Sequence, residues 1–140
     1  MIPSDGYTDE EILEILKLKR IAVVGMSRDP SKDAHMVPKY LIEQGYRVYP
    51  VNPFADEILG LKSYKSLLDI PEEIDIVNIF RPSEHVFPIV KDAVKKGAKV
   101  VWMQLGIYNE EAVEYAKKHG LKVVWNRCIY REHRRLVGTR

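Results

Sequence analysis

The 140-residue chain carries a formal net charge of +2 and is 46% hydrophobic and 30% charged. One domain with a substantial core fits that length, whereas a disordered tail or a fibrous repeat does not fit that composition. The near-neutral charge leaves no electrostatic footprint for nucleic acid or a membrane surface, and the single cysteine, Cys128, excludes an intrachain disulfide and a cysteine-rich zinc site.

Thr8-Asp9-Glu10-Glu11 has the spacing of a capping box, and Ile12, Leu13 and Leu16 follow at helical intervals. A short helix is expected from Asp9 to about Leu18. Ile21-Ala22-Val23-Val24-Gly25 then reads as a strand covered on both faces. Similar runs recur at Tyr46–Val51, Ile74–Phe80, Lys99–Gln104 and Leu121–Trp125. Helical patterns lie between them, and three stop at a glycine: Gly45, Gly97 and Gly120. This alternation predicts an α/β, Rossmann-like three-layer fold, a mainly parallel five-stranded sheet with helices on both faces. Pro38 and Pro88 are expected in the first turns of their helices, where a missing N–H costs little. The preceding loops, Met26–Val37 and Arg81–Phe87, are then long. Residues 54–73 are less regular, with a short element expected near Tyr64–Leu68. Residues 1–140 read as a single domain, with the helix of residues 1–18 packed on it.

In an open parallel sheet, ligands bind beyond the C-terminal strand ends, where the strand order reverses. Those ends carry hydroxyls, amides, aromatics and four cations (Arg28, Lys32, Arg81 and Arg127) but few acids. That chemistry suits a phosphorylated organic ligand. The loop after the first strand has only the first glycine of G-x-G-x-x-G, with Ser27 where the second would stand, and no Walker loop is present. No acid closes the second strand to hold an NAD ribose; Asn52-Pro53 stands there. Gly25 alone could do no more than make a tight turn, but Arg28 and Lys32 frame a loop whose Ser27 and N–H groups suit a phosphate. Phe80 could cover an adenine or a pantetheine arm, and Arg81 could clamp a phosphate; the plainer reading is a core Phe beside a solvated Arg. Gln104 has no evident internal partner and is expected to bond something at the edge. Gly106 would let a ligand approach the backbone.

Four segments carry a resemblance: Val24-Gly25-Met26-Ser27 with Lys32, Tyr49-Pro50-Val51-Asn52-Pro53, Asp75 through Phe80-Arg81-Pro82-Ser83, and Val101-Trp102-Met103-Gln104-Leu105-Gly106. Together they resemble the small stand-alone CoA-binding proteins, which are similar to the Rossmann-like CoA-binding domain of the succinyl-CoA synthetase alpha subunit. The likeness runs from about Lys19 to Leu136. It implies coenzyme A or an acyl-CoA as ligand. Gly25, Ser27, Arg28 and Lys32 would hold phosphates, and Val51, Asn52 and Pro53 would border the adenosine end. Phe80, Arg81 and Ser83 would line the middle, and Gln104, Gly106 and Ile107 the pantetheine route. A synthetase's further domain, with its phosphorylated histidine, has no counterpart in these residues, so synthetase activity is not carried over.

Two other readings compete: an NAD(P)- or nucleotide-linked enzyme on the same fold, and an interaction module without a ligand. No catalytic constellation is assembled, so the default expectation is binding without catalysis. His35, His85, His119 and His133 are scattered and lack metal-ligand spacing. Cys128, following the fifth strand, is the one side chain with nucleophilic potential. Its plain reading is a buried thiol, its sharper one a mixed disulfide with CoA. Arg127, Arg131, Arg134, Arg135 and Arg140 read as a solvated final helix. No nucleic acid or membrane partner is expected, and no protein partner is named by the sequence. The absence of a long apolar run or a leader-like N-terminus makes a cytoplasmic location the expectation. Sparse Gln, Asn and Cys lean toward a thermophile.

Overall fold

The computed structural model describes residues 1–139; Arg140, counted in the basic tail, lies outside the described residues. In chain order the strands are β1 (Arg20–Val24), β2 (Arg47–Val51), β3 (Glu57–Ile58), β4 (Leu61–Lys62), β5 (Ile76–Ile79), β6 (Val100–Met103) and β7 (Lys122–Val124). The helices are α1 (Asp9–Leu16), α2 (Asp33–Glu43), α3 (Val86–Lys96), α4 (Glu110–Lys118) and α5 (Ile129–Leu136). β3 and β4 form a small antiparallel hairpin. The other strands make one parallel sheet in the order β2-β1-β5-β6-β7. The chain leaves β1 toward one edge and returns to its other side, so the strand order reverses between β1 and β5.

The strands read as continuous apolar runs because both faces are covered. Ile21, Val23, Ile76, Val100, Trp102 and Val124 pack with Ile12, Leu16, Val37, Leu41 and Ile129 of α1, α2 and α5. Ala22, Val77, Ile79, Val101, Met103 and Val123 pack with Val86, Val90, Ala112 and Ala116 of α3 and α4. Each large side chain buried this way contributes about 1.5–3 kcal/mol.

The capping box forms as expected: Thr8 Oγ1 accepts the Glu11 N–H, and Glu11 Oε1 accepts the Thr8 N–H. α1 ends at Leu16, slightly short of expectation. Gly97 closes α3 in a left-handed conformation, φ 81°.

The Pro38 expectation fails. α2 begins at Asp33, so Pro38 sits inside it and the preceding loop is correspondingly shorter. An interior proline deprives the carbonyl four residues back of its donor. Here that carbonyl, Ala34 O, accepts the Ser27 N–H instead, at 3.1 Å. A tertiary bond replaces the helical one. The β3–β4 hairpin was also not anticipated, while a 3₁₀ turn at Leu67–Asp69 falls close to the expected short element.

Both sheet edges are guarded. Along β7 runs the N-terminal segment: Tyr7 Oη accepts the Val123 N–H (3.1 Å), and Trp125 Nε1 donates to Pro3 O (2.7 Å). Beside β2, Tyr64 bridges Val51, donating its N–H to Pro50 O and accepting from Asn52 N, both at 2.9 Å. α5 is not simply solvated, since Ile129 and His133 are buried and Arg135 pairs with Asp9 of α1 at 3.0 Å. No helix among the described residues is long and apolar enough to cross a membrane.

Candidate functional site

At the point of strand reversal, Gly25 follows β1 and Phe80 follows β5. Gly25 has φ 88°, and a Cβ there would lie 2.5 Å from Phe80 O. Glycine is thus required by the close approach of two backbones as well as by its conformation. The Gly25 N–H donates to Val51 O, and the Phe80 N–H to Val24 O, locking the three strand ends together.

Two clefts open above them. The first, of about 680 Å³, is lined by Gly25, Ser27, Lys32, Val51, Asn52, Pro53, Phe54, Lys65, Phe80, Arg81 and His85, among others. Its wall includes Lys32, Lys65, Arg81 and His85 but no carboxylate. The second, of about 400 Å³, runs between the N-terminal ends of α2 and α5. It is lined by Asp33, Val37, Gln104, Leu105, Ile107, Cys128, Tyr130 and Arg131. Ala34, Phe80 and Arg81 belong to both. Phe80-Arg81 is therefore a ridge with a cleft on either side.

Several expected site residues build the clefts more than they face them. Ser27 gives its N–H to Ala34 O, its Oγ accepts the Asp29 N–H, and its carbonyl accepts from His35 Nδ1 at 2.7 Å. Its hydroxyl proton is the donor it keeps for a ligand. Asn52 Nδ2 donates to Met26 O at 2.9 Å, and its Oδ1 accepts the Phe54 N–H at 2.8 Å. It ties the loop after β1 to the loop after β2. Ser83 Oγ accepts the Tyr108 N–H and Ser83 O accepts from Asn109 Nδ2, bracing the loops after β5 and β6; Ser83 lines neither cleft. Gly106, φ 82°, donates its N–H to Asn126 Oδ1 and lies outside both linings, as does exposed Arg28.

Two expectations are corrected. Gln104 has internal partners: its Oε1 accepts from Asn78 Nδ2 and from the Ile129 N–H, each at 3.0 Å. The sequence could not reveal them, because they come from β5 and from the start of α5. Arg127, one of the four cations, is spent inside the molecule. Its guanidinium grips Asp5 at 2.7 and 2.9 Å, and the Asp5 side chain is 1% exposed. This pair holds Arg127 above even the usual guanidinium range.

The structure also adds residues. Lys65 enters the first cleft because the Tyr64 bridge carries the chain alongside β2. His85 reaches it from the 3₁₀ turn before α3. Cys128 is half-buried and is the N-cap residue of α5, with no side-chain capping bond. Asn78 is fully buried, and its Oδ1 has no partner among the described residues, a defect worth about 1–3 kcal/mol. Among the described residues, no group of three or more His, Cys, Asp or Glu side chains could hold a metal.

A family model described as a CoA binding domain matches residues 19–134. The chain belongs to this CoA-binding family. As a CoA-binding-family domain it is 45% identical over 124 residues to YneT of Bacillus subtilis, covering 88% of this chain and 92% of that one. It is also 37% identical over 120 residues to the alpha subunit of an ADP-forming acetate–CoA ligase of Pyrococcus furiosus. That match covers 78% of this chain but 26% of the subunit, so the chain spans about a quarter of that subunit's length. A solved Pyrococcus horikoshii protein superposes with TM-score 0.94 at 51% identity, covering 99% and 98% of the two chains. The α/β fold is thus shared with that protein across the entire described sheet.

Proposed function

We propose that this chain binds coenzyme A, or an acyl-CoA, without catalysing a reaction by itself. The observation that carries the reading is the cleft of about 680 Å³ at the strand reversal, walled by Lys32, Lys65, Arg81 and His85 and by no carboxylate. A pyrophosphate and a ribose phosphate bring several negative charges, and such a wall meets them. The uncapped N-terminus of α2 at Lys32 adds its dipole in the same direction. Asn52 and Pro53 border the adenosine end. The ligand's flexible arm crosses the Phe80-Arg81 ridge into the second cleft, beside Gln104, Leu105 and Ile107. Membership of the CoA-binding family supports this assignment.

Calorimetry with CoA, NAD, NADP and ATP tests it. CoA should bind tightest, and tighter NAD binding would overturn the reading. Arg81→Ala should weaken CoA about 10- to 100-fold, the worth of one charge-assisted bond. Lys32→Ala, Lys65→Ala and Arg28→Ala should do so more mildly. If all four bind CoA like wild type, the phosphates lie elsewhere.

Cys128 gives this reading a covalent extension. Cys128 gives its thiol proton to water and the thiolate attacks one sulfur of CoA disulfide; that S–S bond breaks, a Cys128–CoA disulfide forms, and CoA leaves as thiolate and takes up a proton in turn. There is no net oxidation. Intact mass after incubation with CoA disulfide should show a reducible adduct that is absent in Cys128→Ser. No adduct, together with Cys128 unlabelled by a thiol reagent in the folded state, would leave it a packing residue.

A further inference from the structure

Gln104 follows β6 and is 5% exposed, yet it forms part of the second cleft's wall. Its Oε1 accepts from Asn78 Nδ2 and from the Ile129 N–H. A backbone N–H can only donate, so the carbonyl end of this amide must face inward. The Gln104 NH₂ group therefore faces away from these partners, and it has no acceptor among the described residues. Asn78 is fixed by the same logic: its Nδ2 meets two acceptors, Gln104 Oε1 at 3.0 Å and Trp102 O at 3.4 Å.

The cost falls on Asn78 Oδ1, which is buried and orphaned. Asn78 lies in register between Val23 of β1 and Trp102 of β6, where an apolar side chain would leave nothing unpaired. A polar residue there, with one atom unsatisfied, has a use only through what its other atom holds.

We propose that Asn78 is a positioning residue that turns the Gln104 amide, so that Gln104 Nε2 donates to a carbonyl oxygen of the ligand in the second cleft. The inference rests on the CoA reading, and it names what that cleft recognises. The candidate acceptors are the amide carbonyls of the pantetheine arm and the thioester carbonyl of an acyl-CoA. Gln104 would act at the end of the ligand remote from its phosphates.

The test compares CoA, acetyl-CoA and adenosine 3′,5′-bisphosphate by calorimetry on wild type, Gln104→Glu and Asn78→Val. Gln104→Glu keeps an inward acceptor for Asn78 and Ile129 but loses the outward donor. Asn78→Val removes the orphan and the orienting bond. Wild type should bind CoA more tightly than the bisphosphate. Both variants should weaken CoA or acetyl-CoA about 3- to 10-fold, the worth of one neutral hydrogen bond. Neither should change bisphosphate binding beyond about twofold, and Asn78→Val should melt at or above the wild-type temperature. Loss with both CoA and acetyl-CoA assigns the acceptor to pantetheine; loss with acetyl-CoA alone assigns it to the thioester. Wild-type affinity for both CoA and acetyl-CoA in Gln104→Glu, or an equal loss for the bisphosphate, overturns the proposal. Wild-type protein that binds none of the three would instead overturn the CoA reading itself.

Discussion

The Ser27 N–H and the Ala34 carbonyl are bonded at 3.1 Å, in the place where a helical bond from residue 38 would be. Because Pro38 has no N–H, α2 offers an acceptor to the loop after β1. The geometry of the first cleft is therefore coupled to a proline inside the helix, four residues beyond Ala34. Pro38→Ala restores a competing donor. Amide exchange at Ser27 should accelerate at least about tenfold, while the melting temperature holds or rises, since interior proline is the worst helix former. Unchanged protection of Ser27, measured by NMR, would show that the two donors do not compete.

Asp5 and Arg127 form the most enclosed ion pair of the chain's described surface, reaching 2.7 Å. Removing one partner of such a pair leaves the other desolvated and unpaired. Asp5→Ala should cost about 3 kcal/mol, the lower end of the usual range, because Glu132 remains 3.6 Å from Arg127. Urea denaturation reads this directly. The double variant Asp5→Leu/Arg127→Met should recover much of the loss.

His133 of α5 is 2% exposed, with Nδ1 2.7 Å from the Tyr40 hydroxyl and its ring edge-on to Tyr40 and Tyr46. Burial, and next the Lys19 ammonium, hold it below the usual histidine range. A lowered folded-state value means that the unfolded chain takes up the proton first. The neutral ring's contribution is complete above the unfolded value of about 6.5 and is lost as pH falls from there through the lower folded value. Wild type should lose stability between about pH 7.5 and pH 5.5 more steeply than His133→Phe. Parallel urea midpoints for the two proteins would refute this.

The hairpin turn places Leu59 at φ 53° and Gly60 at φ 74°. A left-handed leucine is strained, whereas Asn tolerates that region. Leu59→Asn should stabilise the protein by about 0.5–1 kcal/mol, read from its melting curve. A lower melting temperature would mean that the leucine's packing outweighs its strain.

That turn also explains why the hairpin escaped the sequence reading. Asn-Gly would have announced it, and Leu-Gly did not. The sheet was legible because buried parallel strands leave continuous apolar runs, and because Gly45, Gly97 and Gly120 mark where helices stop. What stayed hidden depends on partners distant in the chain. Pro38 misled because its compensation comes from Ser27. Gln104 looked unpartnered because Asn78 and Ile129 lie 26 and 25 residues away. Lys65 was missed because only the Tyr64 bridge brings it to the cleft.

The guarding of the sheet edges has a consequence for how this protein behaves when crowded. Parallel strands ending in bare backbone would recruit further copies into a growing ribbon. On one side, Tyr7 and Asp5 occupy donors of β7 and of Trp125 that a foreign strand would need. On the other, Pro50 of β2 has no N–H to give, and its carbonyl already serves Tyr64. Clipping the first eight residues should thus do more than loosen the fold. It would unmask one flank of the sheet and make the trimmed chain precipitate at lower concentration than the intact one, which light scattering on the two would detect.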